Sequence, residues 1–326
     1  MQRINIIVIS LLLISVIGFS QGDEFVPYGK PILRIFSNFH TTISDGESAS
    51  QFELKRIYLG YEHHFSKNLY AKANLDIGNP GTGKHEMAAH VKYAYLRYKV
   101  HNFSVNFGLI PTTQFKVQED AWGYRYIEKS FQDLYKFNSS ADLGVSAAYK
   151  FGKILSADVI IANGEGYKKI ENDSALRAGF GLTLTPLKNV TGRVYYDFSN
   201  HVNTQSSIAT FLGYANDRFS LGAEYMIQLN PGFEADRKLD GLSFYGTLHA
   251  APKWKLFARY DNLSSNTPAG EMTDWDLPND GQLFIAGFEF SPTKGIKLAP
   301  SYNGWSPKDN NESFISSIYL NCEINF

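Results

Sequence analysis

From Lys30 to the end of the chain, apolar and polar residues alternate one by one. Leu69, Ala71, Ala73, Leu75 and Ile77 are interleaved with Tyr70, Lys72, Asn74 and Asp76. Phe103, Val105, Phe107 and Leu109 alternate with Ser104, Asn106 and Gly108, and Leu143, Val145 and Ala147 with Asp142, Gly144 and Ser146. The pattern returns over 176–184, 190–198, 219–229, 242–250 and 318–326. Successive side chains of a strand point to opposite faces, so each segment has one apolar and one polar face. Helical periodicity is nearly absent, and the chain is expected to be all-β. "QFELKRIYLGYEHHF" changes phase between Leu54 and Ile57, which predicts a bulge. "AAHVKYAYLRYKV" and "LFIAGFEF" carry bulky residues on both faces, so their parity stays open.

The connections fall into two alternating classes. Seven are short, such as "FSKN" at 65–68, "KFGK" at 150–153 and "APK" at 251–253. Eight are longer and more polar, around 43–51, 78–86, 111–140, 163–174, 199–206, 230–240, 263–281 and 304–313. Fifteen connections imply about sixteen antiparallel strands, and this alternation fits a transmembrane barrel with short periplasmic turns and long extracellular loops. A soluble sandwich would seldom need so many strands. Closure with the apolar faces toward lipid also removes the unpaired edges that hydrocarbon would not tolerate.

One stretch invites a different reading. "GNPGTGKH", from Gly78 to His85, is one residue from a phosphate-binding loop, with His85 where a hydroxyl should hold Mg²⁺. It follows an alternating strand and precedes another strand, whereas a phosphate loop leaves a buried parallel strand and opens a helix. An exposed turn is expected here, and no cofactor.

Composition narrows the class further. The chain has 326 residues, with 24 Phe, 20 Tyr and 4 Trp. Its 31 basic and 32 acidic residues show none of the basic excess of a nucleic-acid binder. The one cysteine, Cys322, excludes an internal disulfide framework. Arg3 precedes an apolar run from Ile4 to Phe19, and then Ser20 and Gln21, the layout of a secretory signal peptide over 1–20. The barrel is then expected over 21–326. His63-His64 lack a third ligand at metal spacing, and no metal site is expected.

The chain ends "SIYLNCEINF", an amphipathic strand closed by Phe326. A terminal aromatic of this kind resembles the signal read by the outer-membrane barrel assembly machinery. "AYLRYKVHNFSVNFGLIPTTQF", then "YIEKSF" at 126–131 and "SADLGVSAAYKF" at 140–151, resemble the phosphate-selective porin O and P family. The match covers about a sixth of the chain. Where the family has Arg-Asp, this chain has Ala141-Asp142, and the family's phosphate-site residues have no counterpart that can be placed. The resemblance implies a sixteen-stranded, trimeric outer-membrane porin of a Gram-negative bacterium, with lipid around it and small hydrophilic solutes or anions inside. It also implies that the connection after the fifth strand folds into the lumen.

That connection, 111–140, is the longest, and loops of this length are usually functional. It carries Lys116, Glu119, Asp120, Arg125, Glu128 and Lys129 among Trp122, Tyr124, Tyr126 and Tyr135. As a constriction it would anchor through the aromatics and set the local field through the charges; as a surface loop its charges would be solvated. Parity places Lys72, Asp76, Arg97, Lys99, Lys150, Arg177, Arg193 and Arg259 on the lumen face. A mid-bilayer Arg or Lys on the lipid face would cost about 2–4 kcal/mol. Basic residues outnumber acidic ones in this set, which predicts a mild anion preference. A water-filled diffusion channel is the leading reading. The alternatives are an outer-membrane barrel enzyme of phospholipase or protease type, and a plugged structural or adhesive barrel.

Overall fold

The computed structural model describes residues 25–79, 87–171 and 174–326; the expected signal peptide and most of the 78–85 cluster lie outside them. The strands run in order: β1 (Tyr28–Ser44), β2 (Glu47–His64), β3 (Leu69–Gly78), β4 (Ala88–Val100), β5 (Phe103–Pro111), β6 (Ala141–Lys150), β7 (Leu155–Ala162) and β8 (Arg177–Leu184). They continue as β9 (Val190–Asn200), β10 (Thr204–Ala215), β11 (Phe219–Leu229), β12 (Lys238–Ala251), β13 (Trp254–Ser265), β14 (Gly281–Thr293), β15 (Ile296–Pro307) and β16 (Ile315–Asn325). Each pairs antiparallel with its neighbours in sequence. β1 also pairs with β16, from Arg34 opposite Asn325 to Ile43 opposite Ser316. The sheet is a closed barrel, as the alternation predicts, and no backbone edge is left open.

Alternation sorts the side chains between the two faces. On β9, Val194, Tyr196 and Phe198 are exposed on the outer wall, while Arg193, Tyr195, Asp197 and Ser199 are buried on the inner one. β16 does the same, with Ile318 and Leu320 outside and Ser317, Asn321 and Glu323 inside. The barrel is therefore apolar outside and polar inside, the reverse of a water-soluble protein.

The register shifts at four places among the described strands, and two of these bulges bear on the bore. Phe36 faces Arg56 but Ser37 faces Leu54, leaving Lys55 as the extra residue on β2, where the phase change predicts one. Asn74 faces Tyr93 but Leu75 faces Val91, so Lys92 is the extra residue on β4. A bulge sets two consecutive residues against one partner and re-aims their side chains. Here each bulge turns a lysine inward beside a residue that already faces the lumen.

The long connections gather at one rim, with one correction. The loop expected around 43–51 is a two-residue turn, and β1 and β2 extend almost to its tip. Asp45 and Gly46 have φ of 52° and 80°, the positive values that a tight hairpin turn with right-handed strand twist demands.

Candidate functional site

The 111–140 connection lies inside the barrel. It holds two short helices, α1 (Lys116–Trp122) and α2 (Phe131–Leu134). α1 stops at Gly123, whose φ of 72° allows its N–H to close on the Glu119 carbonyl at 3.0 Å. Trp122, Tyr124, Tyr126 and Ile127 are buried against Phe36, Phe211, Tyr245, Phe257, Leu283 and Ile285, all inward residues of the wall. Tyr124 lies 4.5 Å from Phe257 between ring centroids, and Trp122 lies 5.6 Å from Tyr245. Phe131 sits over Gly241, where a Cβ would come within 2.8 Å of the ring. Glycine makes that part of the wall a socket.

Polar anchors fix the same loop. Arg193 Nη2 donates to the Thr113 carbonyl at 2.7 Å, Gln228 to the Phe137 carbonyl at 3.0 Å, and Lys55 to the Ile127 carbonyl at 2.6 Å. Arg259 Nη1 donates to the Lys129 carbonyl at 2.5 Å, and Tyr126 donates to Glu289 at 2.9 Å. Loop carbonyls left without secondary structure are thus taken up by wall donors, as buried backbone requires.

These contacts redistribute the predicted charges. Arg193 pairs with Asp158 at 2.7 Å and Arg259 with Asp261 at 2.6 Å, and both arginines are buried where they also bond the loop. Arg177 is buried near Asp197, at 3.8 Å. Lys99 and Lys150 are exposed at strand ends. Lys116 and Asp120 pair with each other on the exposed face of α1. Glu119 is half-buried on the same helix. Arg125 reaches Asp133 at 3.4 Å, and Glu128 lies 3.9 Å from Lys55.

The remaining predicted residues meet on the β2–β4 wall. Asp76 is buried and binds Arg56 at 3.0 Å; it also accepts the hydroxyl of Tyr167, from the β7–β8 connection, at 2.5 Å. Lys72 lies 5.6 Å from the Tyr93 ring, and Arg97 lies 5.4 Å from Tyr95 while donating to Asn106. Parity alone missed three cations here: Lys55, Arg56 and Lys92. The signal for Lys55 and Arg56 was the phase change on β2. For Lys92 it was only a bulky, two-faced strand.

Two loop carboxyls respond to these cations. Burial alone would push Asp133 up, but Arg125, then Lys129 and Lys92, override it and hold the carboxyl below its usual range. Burial also opposes ionisation of Glu128, and Lys55 with the Lys129 amide reverses the balance.

Solved structures share this architecture. The outer membrane channel DcaP of Acinetobacter baumannii is 13% identical, with a TM-score of 0.65 over 92% of this chain and 97% of that one. Salmonella typhi OmpF, in complex with daunomycin, is 12% identical with a TM-score of 0.69 over 91% and 97%. A mutant of the Rh. blastica porin is 13% identical with a TM-score of 0.54 over 91% and 100%. This is the fold of the outer-membrane porins. No family model matches the chain and no curated protein does, so the resemblance of its middle segment to phosphate-selective porins is not shown. The porin fold in this chain encloses a loop against one half of the wall and a cation-rich surface on the other.

Proposed function

We propose that the chain is a water-filled diffusion channel of a bacterial outer membrane that admits small hydrophilic solutes and favours anions. One observation carries the reading: the bore is polar and charged inside an apolar cylinder, and the charge left on its β2–β4 wall is positive. Arg56 is matched by Asp76 and Arg125 by Asp133, whereas Lys72 and Lys92 make no ion pair among the described residues. A pore whose wall carries fixed charge of one sign concentrates ions of the other. The loop inside the barrel narrows the lumen at this level and acts as the constriction. The fold shared with outer-membrane porins supports the location and a homotrimer; the apolar run from Ile4 to Phe19 would export the chain, and the strand ending at Phe326 would deliver it to the assembly machinery.

The test is conductance in planar bilayers, with reversal potentials in a KCl gradient. Stepwise channels with the reversal potential on the chloride side are expected. Cation selectivity would remove the anion preference. Absent conductance would point to a plugged barrel, and turnover of lipid or peptide substrates by the folded protein would establish the enzyme instead.

A further inference from the structure

The β2–β4 wall holds more than a diffuse positive field. Lys92 is 6% exposed, yet no carboxylate among the described residues lies within ion-pair reach of it. Its ammonium is surrounded by aromatic faces, 5.1 Å from the Tyr58 ring centroid and 5.6 Å from those of Tyr93 and Tyr167. Ring faces keep a buried cation charged without cancelling it. Three further groups around it keep donor capacity that nothing takes up among the described residues. Arg56 Nε is buried with no acceptor, although its Nη1 reaches Asp76 and the Tyr58 hydroxyl oxygen. Among the described residues nothing accepts the Tyr58 hydroxyl proton. His90 Nε2, on the residue opposite Asp76, is buried and unpartnered, and its ring lies 6.5 Å from Tyr167.

Every one of these groups can donate, and buried donors left unpaired are costly. An acceptor-only ligand would satisfy them. Arg56 is balanced by Asp76 and Arg125 by Asp133, while Lys92, and Lys168 at 5.9 Å from the Tyr167 ring centroid, have no ion pair among the described residues. Inorganic phosphate near neutral pH keeps at least one P–OH donor, which would oppose these donors, whereas a carboxylate only accepts. A halide offers one spherical acceptor, while a carboxylate offers two oxygens with about four lone-pair directions. Resting on the anion-channel reading, we infer that Arg56, Tyr58, His90 and Lys92 form a saturable binding site for a small carboxylate in the bore.

Titration calorimetry on the detergent-folded barrel tests the site without any current, using sodium acetate, sodium chloride and inorganic phosphate as separate arms. Acetate is expected to bind saturably and at least tenfold more tightly than chloride. Lys92→Met should weaken acetate at least tenfold. Tyr58→Phe, which keeps the ring and removes the hydroxyl, should weaken it roughly threefold, the loss of one hydrogen bond. Heat-modifiable migration establishes that each variant is folded. The inference fails if acetate does not saturate, or if chloride or phosphate binds as tightly. Acetate binding by a barrel that passes no current would overturn the channel reading and leave the site standing. Current without acetate binding would do the opposite.

Discussion

The two halves of the bore wall are built from the same kinds of residue and put them to opposite uses. On the β9–β15 side, Arg193 and Arg259 each have an aspartate partner and spend their remaining donors on loop carbonyls. On the β2–β4 side, Lys92 and part of Arg56 remain uncommitted among tyrosine rings. The difference lies in what faces the cations on each half. Arg193 and Arg259 are set against carboxylates, which cancel their charge at a site where a lone buried charge costs several kcal/mol. Lys92 is equally buried but is set against tyrosine rings, which hold it charged and leave that charge available to a solute. An inward arginine is therefore not by itself a selectivity residue.

The sharpest way to break this contrast is Arg259→Met. It strips Asp261 of its partner and the Lys129 carbonyl of its donor, and should lower unfolding stability by about 3–5 kcal/mol. Urea titration followed by tryptophan fluorescence would measure that. The anion preference should change little. On the other half the pattern should invert. Lys92→Glu should leave the heat-modifiable fold in place and reduce the anion-to-cation permeability ratio roughly tenfold, or ~1.4 kcal/mol per ion. Reversal potentials in a KCl gradient read this directly.

Acid should act on the seam between the halves. Glu128 and Asp133 have carboxyls held below the ordinary range, so their contribution is full above the unfolded value and lost as pH falls through the folded one. Conductance should stay steady from neutral pH down to about pH 4, and become noisier or larger below it as the loop loosens. The smallest effect belongs to Lys116→Ala. Its pair with Asp120 is exposed and four residues apart on one helix, worth only about 0.3–0.5 kcal/mol, and neither stability nor selectivity should move measurably.

Much of the barrel is legible in the chain because alternation is a local signal and repeats in strand after strand. The lumen face of β9 follows at once from Arg193, Tyr195 and Asp197 alternating with Val194, Tyr196 and Phe198. Parity fails where a bulge inserts one residue, and Lys92 was lost for that reason. It sits in "HVKYAY", where Val91 and Tyr93 are both bulky and neither face announces itself. The Asp45-Gly46 turn was readable as a dipeptide but hidden among polar neighbours that resemble a loop. The β7–β8 connection gave no sign that Tyr167 would reach Asp76, since that contact joins residues 91 positions apart. Nor could pattern distinguish Arg259, committed to Asp261, from a cation open to solute; that depends on where a thirty-residue loop comes to rest.

The seam between β1 and β16 carries a consequence for assembly. Arg34 and Asn325 stand beside each other although almost the whole polypeptide lies between them. Every other pairing can zip up from a nearby hairpin, but this one must wait until all the intervening ribbons have curled round, making it the slowest join by the usual dependence of rate on sequence separation. A nascent molecule held before that join would expose two raw rims of unsatisfied amides, so a helper that shields β1 and β16 until they meet would have the most to contribute at that single place.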